Sequence, residues 1–108
     1  MSDKQKKYSV EIHDDAAQML YVHVKFLANV SISAAKKLNN SINAALKSLV
    51  TIPHRCPIFQ TYQTRHTYRR LIVGRYQIIF SINETDNIVK VHHIIDSRQD
   101  NDYLQHIL

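Results

Sequence analysis

Arginines bracket the only glycine of the chain: Arg69 and Arg70 precede Gly74, Arg75 follows it, and Arg98 lies beyond the next two strand-like segments. A guanidinium offers a planar fork of donors that fits phosphate or carboxylate oxygens, so Arg70, Arg75 and Arg98 are candidates to converge on one anion. Arg69 points to the opposite side of its strand from Arg70 and reads equally well as a solvated cation. His92 and His93 bring imidazoles that can exchange protons near neutral pH. As neighbours on a strand they should face opposite ways, leaving one of them structural. Cys56 follows Arg55, which can lower a thiol pKa, yet no base and orienting group accompany it, and it reads as packing. The seven histidines include no pair at the helical spacing of four, so a metal site is not expected, and no cofactor is read from the sequence.

The charge distribution sharpens this reading. The net charge is +5, and all nine acids (Asp3, Glu11, Asp14, Asp15, Glu84, Asp86, Asp96, Asp100, Asp102) lie outside residues 16–83. Nine bases occupy that interval: Lys25, Lys36, Lys37, Lys47, Arg55, Arg65, Arg69, Arg70 and Arg75. Bases without resident carboxylates create a positive field that draws in an anionic partner, either nucleic acid or an acidic protein.

Elements must position these groups. With 108 residues, 44% of them hydrophobic, the chain predicts one globular domain with a core over 8–100, and tails at 1–7 and 101–108 that either dock or stay mobile. No apolar run approaches the roughly 20 residues of a membrane span, and no export signal is read at the start. The lone cysteine cannot form an internal disulfide, which fits a reducing cytoplasm.

Tyr8, Val10 and Ile12 alternate with polar residues, predicting a strand over 7–13. Asp14 or Asp15 then caps a first helix with Ala17, Leu20, Val24 and Leu27 on its inner face. Residues 29–33 interrupt it. Ser31 or Ser33 opens a second helix with Ala35, Leu38, Ile42, Ala45, Leu46 and Leu49 inward, ending before Pro53. Two helices joined by about three residues predict an antiparallel hairpin. Residues 53–65 read as an ordered loop. Three strands follow, over 66–73, 75–83 and 87–95, with Gly74 in the first turn at positive φ and residues 84–87 in the second. In the middle strand Tyr76, Ile78, Phe80 and Ile82 form an apolar face for the helices, and Gln77, Ile79, Ser81 and Asn83 a mixed one. The fold class is α+β: an N-terminal strand and a two-helix hairpin packed on a three- to four-stranded, mainly antiparallel sheet.

Tyr8-Ser-Val-Glu-Ile-His13, the alanine pairs Ala16-Ala17 and Ala34-Ala35, the run from Tyr68 to Phe80 around Arg69-Arg70 and Gly74-Arg75, and the closing Val91-His-His-Ile-Ile-Asp-Ser-Arg98-Gln-Asp100 together resemble the RelE/ParE superfamily of toxins. The resemblance spans about 8–100. It implies the toxin half of a type II toxin–antitoxin pair, a cytoplasmic growth inhibitor neutralised by an antitoxin whose acidic C-terminal segment suits the unneutralised bases. Members resembling ParE poison DNA gyrase and are associated with plasmid stabilisation; members resembling RelE cut messenger RNA on the ribosome.

The ribonuclease branch carries an arginine directly after the central-strand tyrosine, whereas Gln77 follows Tyr76 here, so the resemblance leans toward the gyrase-directed, non-hydrolytic branch. Cleavage by 2′-hydroxyl attack needs a base, an acid and a cation for the developing phosphorane charge. Arg70, Arg75, His93, Arg98 and Tyr103 are the candidates for that metal-independent chemistry, Tyr103 matching only with a one-residue slip. For target or antitoxin binding the candidates are Arg55, Arg65, Arg69, Arg70, Arg75, Tyr76 and Arg98. A basic nucleic-acid-binding module without toxicity is the third reading.

Overall fold

The computed structural model describes residues 7–59 and 67–97. Strand β1 (Ser9–Ile12) leads into two 17-residue helices, α1 (Asp14–Val30) and α2 (Ile32–Ser48), followed by a 3-10 turn at Pro53–Arg55. Strands β2 (Ile58–Phe59), β3 (Tyr68–Val73), β4 (Tyr76–Asn83) and β5 (Ile88–Asp96) complete a five-stranded sheet in the order β1-β5-β4-β3-β2. The α+β class and the helix hairpin on a mainly antiparallel sheet are as expected. The sheet has five strands where three to four were expected, because a two-residue β2 forms an edge within the expected loop, and β1 is the parallel member, paired to β5. Two residues are too few to carry a period-2 signal. Apart from Lys7, the expected tails lie outside the described residues, as do His66, Arg65, Arg98 and Tyr103.

Helix α1 is capped by His13, whose Nδ1 accepts the Asp15 amide at 3.1 Å, instead of by an aspartate. Asp14 and Asp15 occupy its first turn, where the helix dipole favours them. Ala16, not Ala17, is fully buried, with Leu20, Val24 and Leu27 half-buried behind it. One residue, Ser31, joins the helices where about three were expected. Its amide closes α1 on the Leu27 carbonyl, and its Oγ accepts the Ala34 amide at 3.1 Å to open α2. A serine that serves both caps removes the need for a longer loop. Ala35, Leu38, Ile42 and Leu46 bury the inner stripe of α2, and Leu49 is enclosed as its C-cap. Burial of each of these leucines or isoleucines contributes about 1.5–3 kcal/mol. Among the described residues no helix is long and apolar enough to cross a membrane.

The turn after α2 sets the loop that follows. Ile52, constrained by Pro53, adopts φ 50° and ψ 56°, a left-handed conformation that β-branched residues resist. Arg55 holds it there by donating to the carbonyls of Ser48 (3.2 Å), Thr51 (3.3 Å) and Ile52 (3.1 Å), and to Ser48 Oγ at 2.7 Å. At the β3–β4 turn Gly74 has φ 60°, the positive value the sequence predicts. At the β4–β5 turn Asn83 Oδ1 accepts the Asp86 amide at 3.1 Å and Asn87 takes φ 57°.

Candidate functional site

Register assigns the side chains to faces. Pairs Val73↔Tyr76, Leu71↔Ile78 and Arg69↔Phe80 turn toward the helices, while Ile72↔Gln77 and Arg70↔Ile79 turn away. The β4–β5 ladder has Ile79↔His93 and then Phe80↔Val91, so His92 is an extra residue in a β-bulge. Val91 and Ile94 are both fully buried on the helix side, and the two histidines between them share the opposite face. This overturns the expectation that they face opposite ways, because the inserted residue breaks the alternation on which it rested. His92 Nε2 shares a 2.8 Å hydrogen bond with Ser81 Oγ, and its ring meets Tyr68 edge-on at 5.2 Å.

The face away from the helices therefore gathers Tyr68, Arg70, Gln77, Ser81, His92 and His93 around a small apolar cluster of Tyr68, Ile79 and Ile95, with Met19 and Phe59 packed against it. Gln77 is buried, unlike the solvated side chain a mixed face suggests. Arg70 donates to Gln77 Oε1 at 3.4 Å, lies 5.4 Å from the Phe59 ring centroid, and keeps a buried Nε with no acceptor among the described residues. Beside this group, Thr67, Tyr68, Ser81, Asn83, Glu84 and His92 line a concavity of about 630 Å³.

The other candidate residues are placed elsewhere. Arg75 is exposed at the turn and, with Lys37, rims a separate hollow of about 230 Å³ between α2 and the β3–β4 turn. Arg70 borders a different hollow of about 380 Å³ with Arg55, Cys56 and Ile72. These two arginines thus border different concavities, while Arg98, the third member of the expected phosphate site, lies outside the described residues. Arg69, on the helix side, donates to the carbonyls of His54 (3.1 Å) and Cys56 (2.7 Å). Arg55 is occupied with the end of α2. Both fix the loop, although their charges still contribute to the field. Tyr76 is buried and meets the His23 ring edge-on at 5.1 Å. Burial raises the Cys56 thiol pKa above its ordinary value, against the smaller opposing pull of Arg55 and Arg69, as suits a packing residue.

A further polar group escaped sequence reasoning: Glu84 accepts from Tyr8 Oη at 3.3 Å and meets His54 Nε2 at 2.7 Å. Residues 8, 54 and 84 share no local spacing, so only the tertiary arrangement reveals them. Among the described residues no three His, Cys, Asp or Glu side chains gather for a metal ion.

Comparison with known proteins supplies the lineage. The sequence matches, over residues 10–101, the family model for the ParE toxin of the type II toxin-antitoxin system parDE. Three solved structures share the fold, each at 16% identity. The chromosomal ParDE system of P. aeruginosa has a TM-score of 0.66, covering 84% of this chain and 97% of that one. The RelBE2 toxin-antitoxin complex of Mycobacterium tuberculosis has 0.59, covering 86% and 94%. The archaeal RelE-RelB complex of Pyrococcus horikoshii OT3 has 0.50, covering 87% and 99%. Comparison with curated proteins gives no match. A family match across most of the sequence, on a fold shared with solved ParE and RelE systems, places the chain in the RelE/ParE superfamily: it belongs to the ParE toxin family of type II toxin-antitoxin systems.

Proposed function

We infer that the chain arrests growth in the cytoplasm by binding and poisoning DNA gyrase, and that an antitoxin with an acidic C-terminal segment neutralises it. The observation that carries this reading is Gln77. It stands where a ribonuclease of the superfamily has a cation, is buried, and engages Arg70 by a hydrogen bond instead of adding a second guanidinium to that face. Stabilising a phosphorane requires preorganised positive charge at the reacting phosphate. Among the described residues that face offers one half-buried arginine, stacked on Phe59, which is a weak basis for it. A binding toxin needs only a complementary surface, which the acid-free interval 16–83 supplies.

One observation favours ribosome-dependent RNA cleavage instead: the bulge sets His92 and His93 on the same face as Arg70, so an acid and a base could share a site. A brief induction experiment separates the two. Gyrase poisoning gives filamentation and DNA-damage signalling while translation continues, and the purified chain traps gyrase–DNA cleavage complexes. Translation stopping within minutes, with loss of that effect in Arg98→Ala, assigns the chain to RNA cleavage. Duplex binding with a steep salt slope and no growth defect leaves only the basic-module reading.

A further inference from the structure

Helix α2 is patterned on both sides. Its inner stripe of Ala35, Leu38, Ile42 and Leu46 is buried, and at the same helical spacing its outer stripe is Lys36, Asn40, Asn43 and Lys47, all exposed. The helix contains no acid, and the hairpin's two acids, Asp14 and Asp15, sit at its base in the first turn of α1. Toward the sheet, Lys37 and Ser41 line the hollow of about 230 Å³ together with Gly74 and Arg75. Arg55 and Arg69 are committed to loop carbonyls. Lys36, Lys37, Lys47 and Arg75, by contrast, pair with no acid and donate to no carbonyl among the described residues. Their charge is available to a ligand.

We propose that the outer face of α2, with Arg75 beside it, docks on the phosphate backbone of duplex DNA. Unpaired cations interleaved with amides and a hydroxyl are the groups that bind phosphate and sugar oxygens. Lys36 and Lys47 stand about 16 Å apart along the helix axis. Their side chains can therefore lean onto the two walls of a B-form major groove, about 12 Å wide, with Asn40 and Asn43 over the groove between them. Lys37, Ser41 and Arg75 meet a further phosphate at the hollow. An A-form RNA duplex, whose major groove is narrow and deep, offers no such seat. A protein partner finds little to bury here, because beyond Ile32 at its start α2 exposes no large apolar side chain. Binding that is mainly electrostatic suits the surface. Docking on DNA does not depend on gyrase being the target, and bare duplex suffices to measure it.

The test is titration of the purified whole chain against a short DNA duplex over a salt series, with an RNA duplex of matching sequence alongside. Four phosphate contacts predict a slope of log K against log salt of about −3.6, so that about a fourfold rise in salt weakens binding about 150-fold. Lys36→Gln combined with Lys37→Gln keeps helix propensity and should halve the slope, leaving about a 12-fold loss over the same rise. Arg75→Gln, outside the helix, should take about 0.9 from the slope and decides the matter if the helix variant does not fold. Lys90, exposed on β5 between the buried Val89 and Val91, faces away from the helices, and Lys90→Gln should leave the slope unchanged. An unchanged slope in the α2 and Arg75 variants, an equal loss per charge in Lys90→Gln, RNA bound as tightly as DNA, or no binding to bare duplex overturns the proposal. None of these outcomes touches the gyrase reading, which fails separately if the chain traps no gyrase–DNA cleavage complex.

Discussion

The two faces of the sheet are built by alternate residues of the same strands, yet they are held by different physics. On the helix side Ile78, Phe80, Val89, Val91 and Ile94 are fully enclosed beneath α1 and α2. On the other side the apolar cluster among the described residues is smaller, Tyr68, Ile79 and Ile95 with Met19 and Phe59 against it, and it is bordered by polar contacts of Arg70 to Gln77 and Ser81 to His92. The contrast teaches where change is tolerated. The helix side supplies most of the burial that stabilises the fold, so its volumes are constrained. The open side contributes less stability and can vary its chemistry, which is how one superfamily fold carries different activities.

The largest expected effect tests that division directly. Phe80→Ala should cost about 3–5 kcal/mol in urea unfolding, and Ile79→Ala, a smaller side chain that is equally enclosed but sits in the smaller cluster, about 2 kcal/mol. Equal losses would mean that the open face is as fully packed as the helix side. Next comes His92→Ala, which removes the bond to Ser81 and should cost about 1 kcal/mol. A loss several times larger would make the bulge a structural keystone, and no loss would make it purely functional.

The smallest effect is a pH dependence. The Cys56 pKa is raised in the folded chain because burial disfavours the thiolate. The unfolded chain therefore deprotonates first, so the contribution of the neutral thiol is complete below the ordinary thiol pKa and is lost as pH rises through and beyond it. Stability of the natural chain should fall in that alkaline range, and Cys56→Ala should flatten the decline. An unchanged slope would show that the thiol is not what titrates.

Much of the fold was legible because it rests on local periodicity. The stripe of Leu38, Ile42 and Leu46, the alternation in β4 and the positive φ of Gly74 all follow from neighbours in sequence. The candidate site was less legible. Arg70 falls on the open face as its parity requires, but an inserted residue undoes the same parity argument for His92 and His93. Arg55 and Arg69 were read as binding cations, and nothing in their spacing shows that α2, Ile52, His54 and Cys56 present them with carbonyls.

By itself the sequence determined the α+β class, the turn at Gly74, the family and a positive field free of acids over 16–83. These depend on short-range patterns and on summed charge, neither of which needs coordinates. Only the tertiary structure decided which arginines cap backbone and which remain available, and that the bulge unites the histidines on one face. Each of those is a matter of which distant groups meet, and long-range hydrogen bonding leaves no period in the chain.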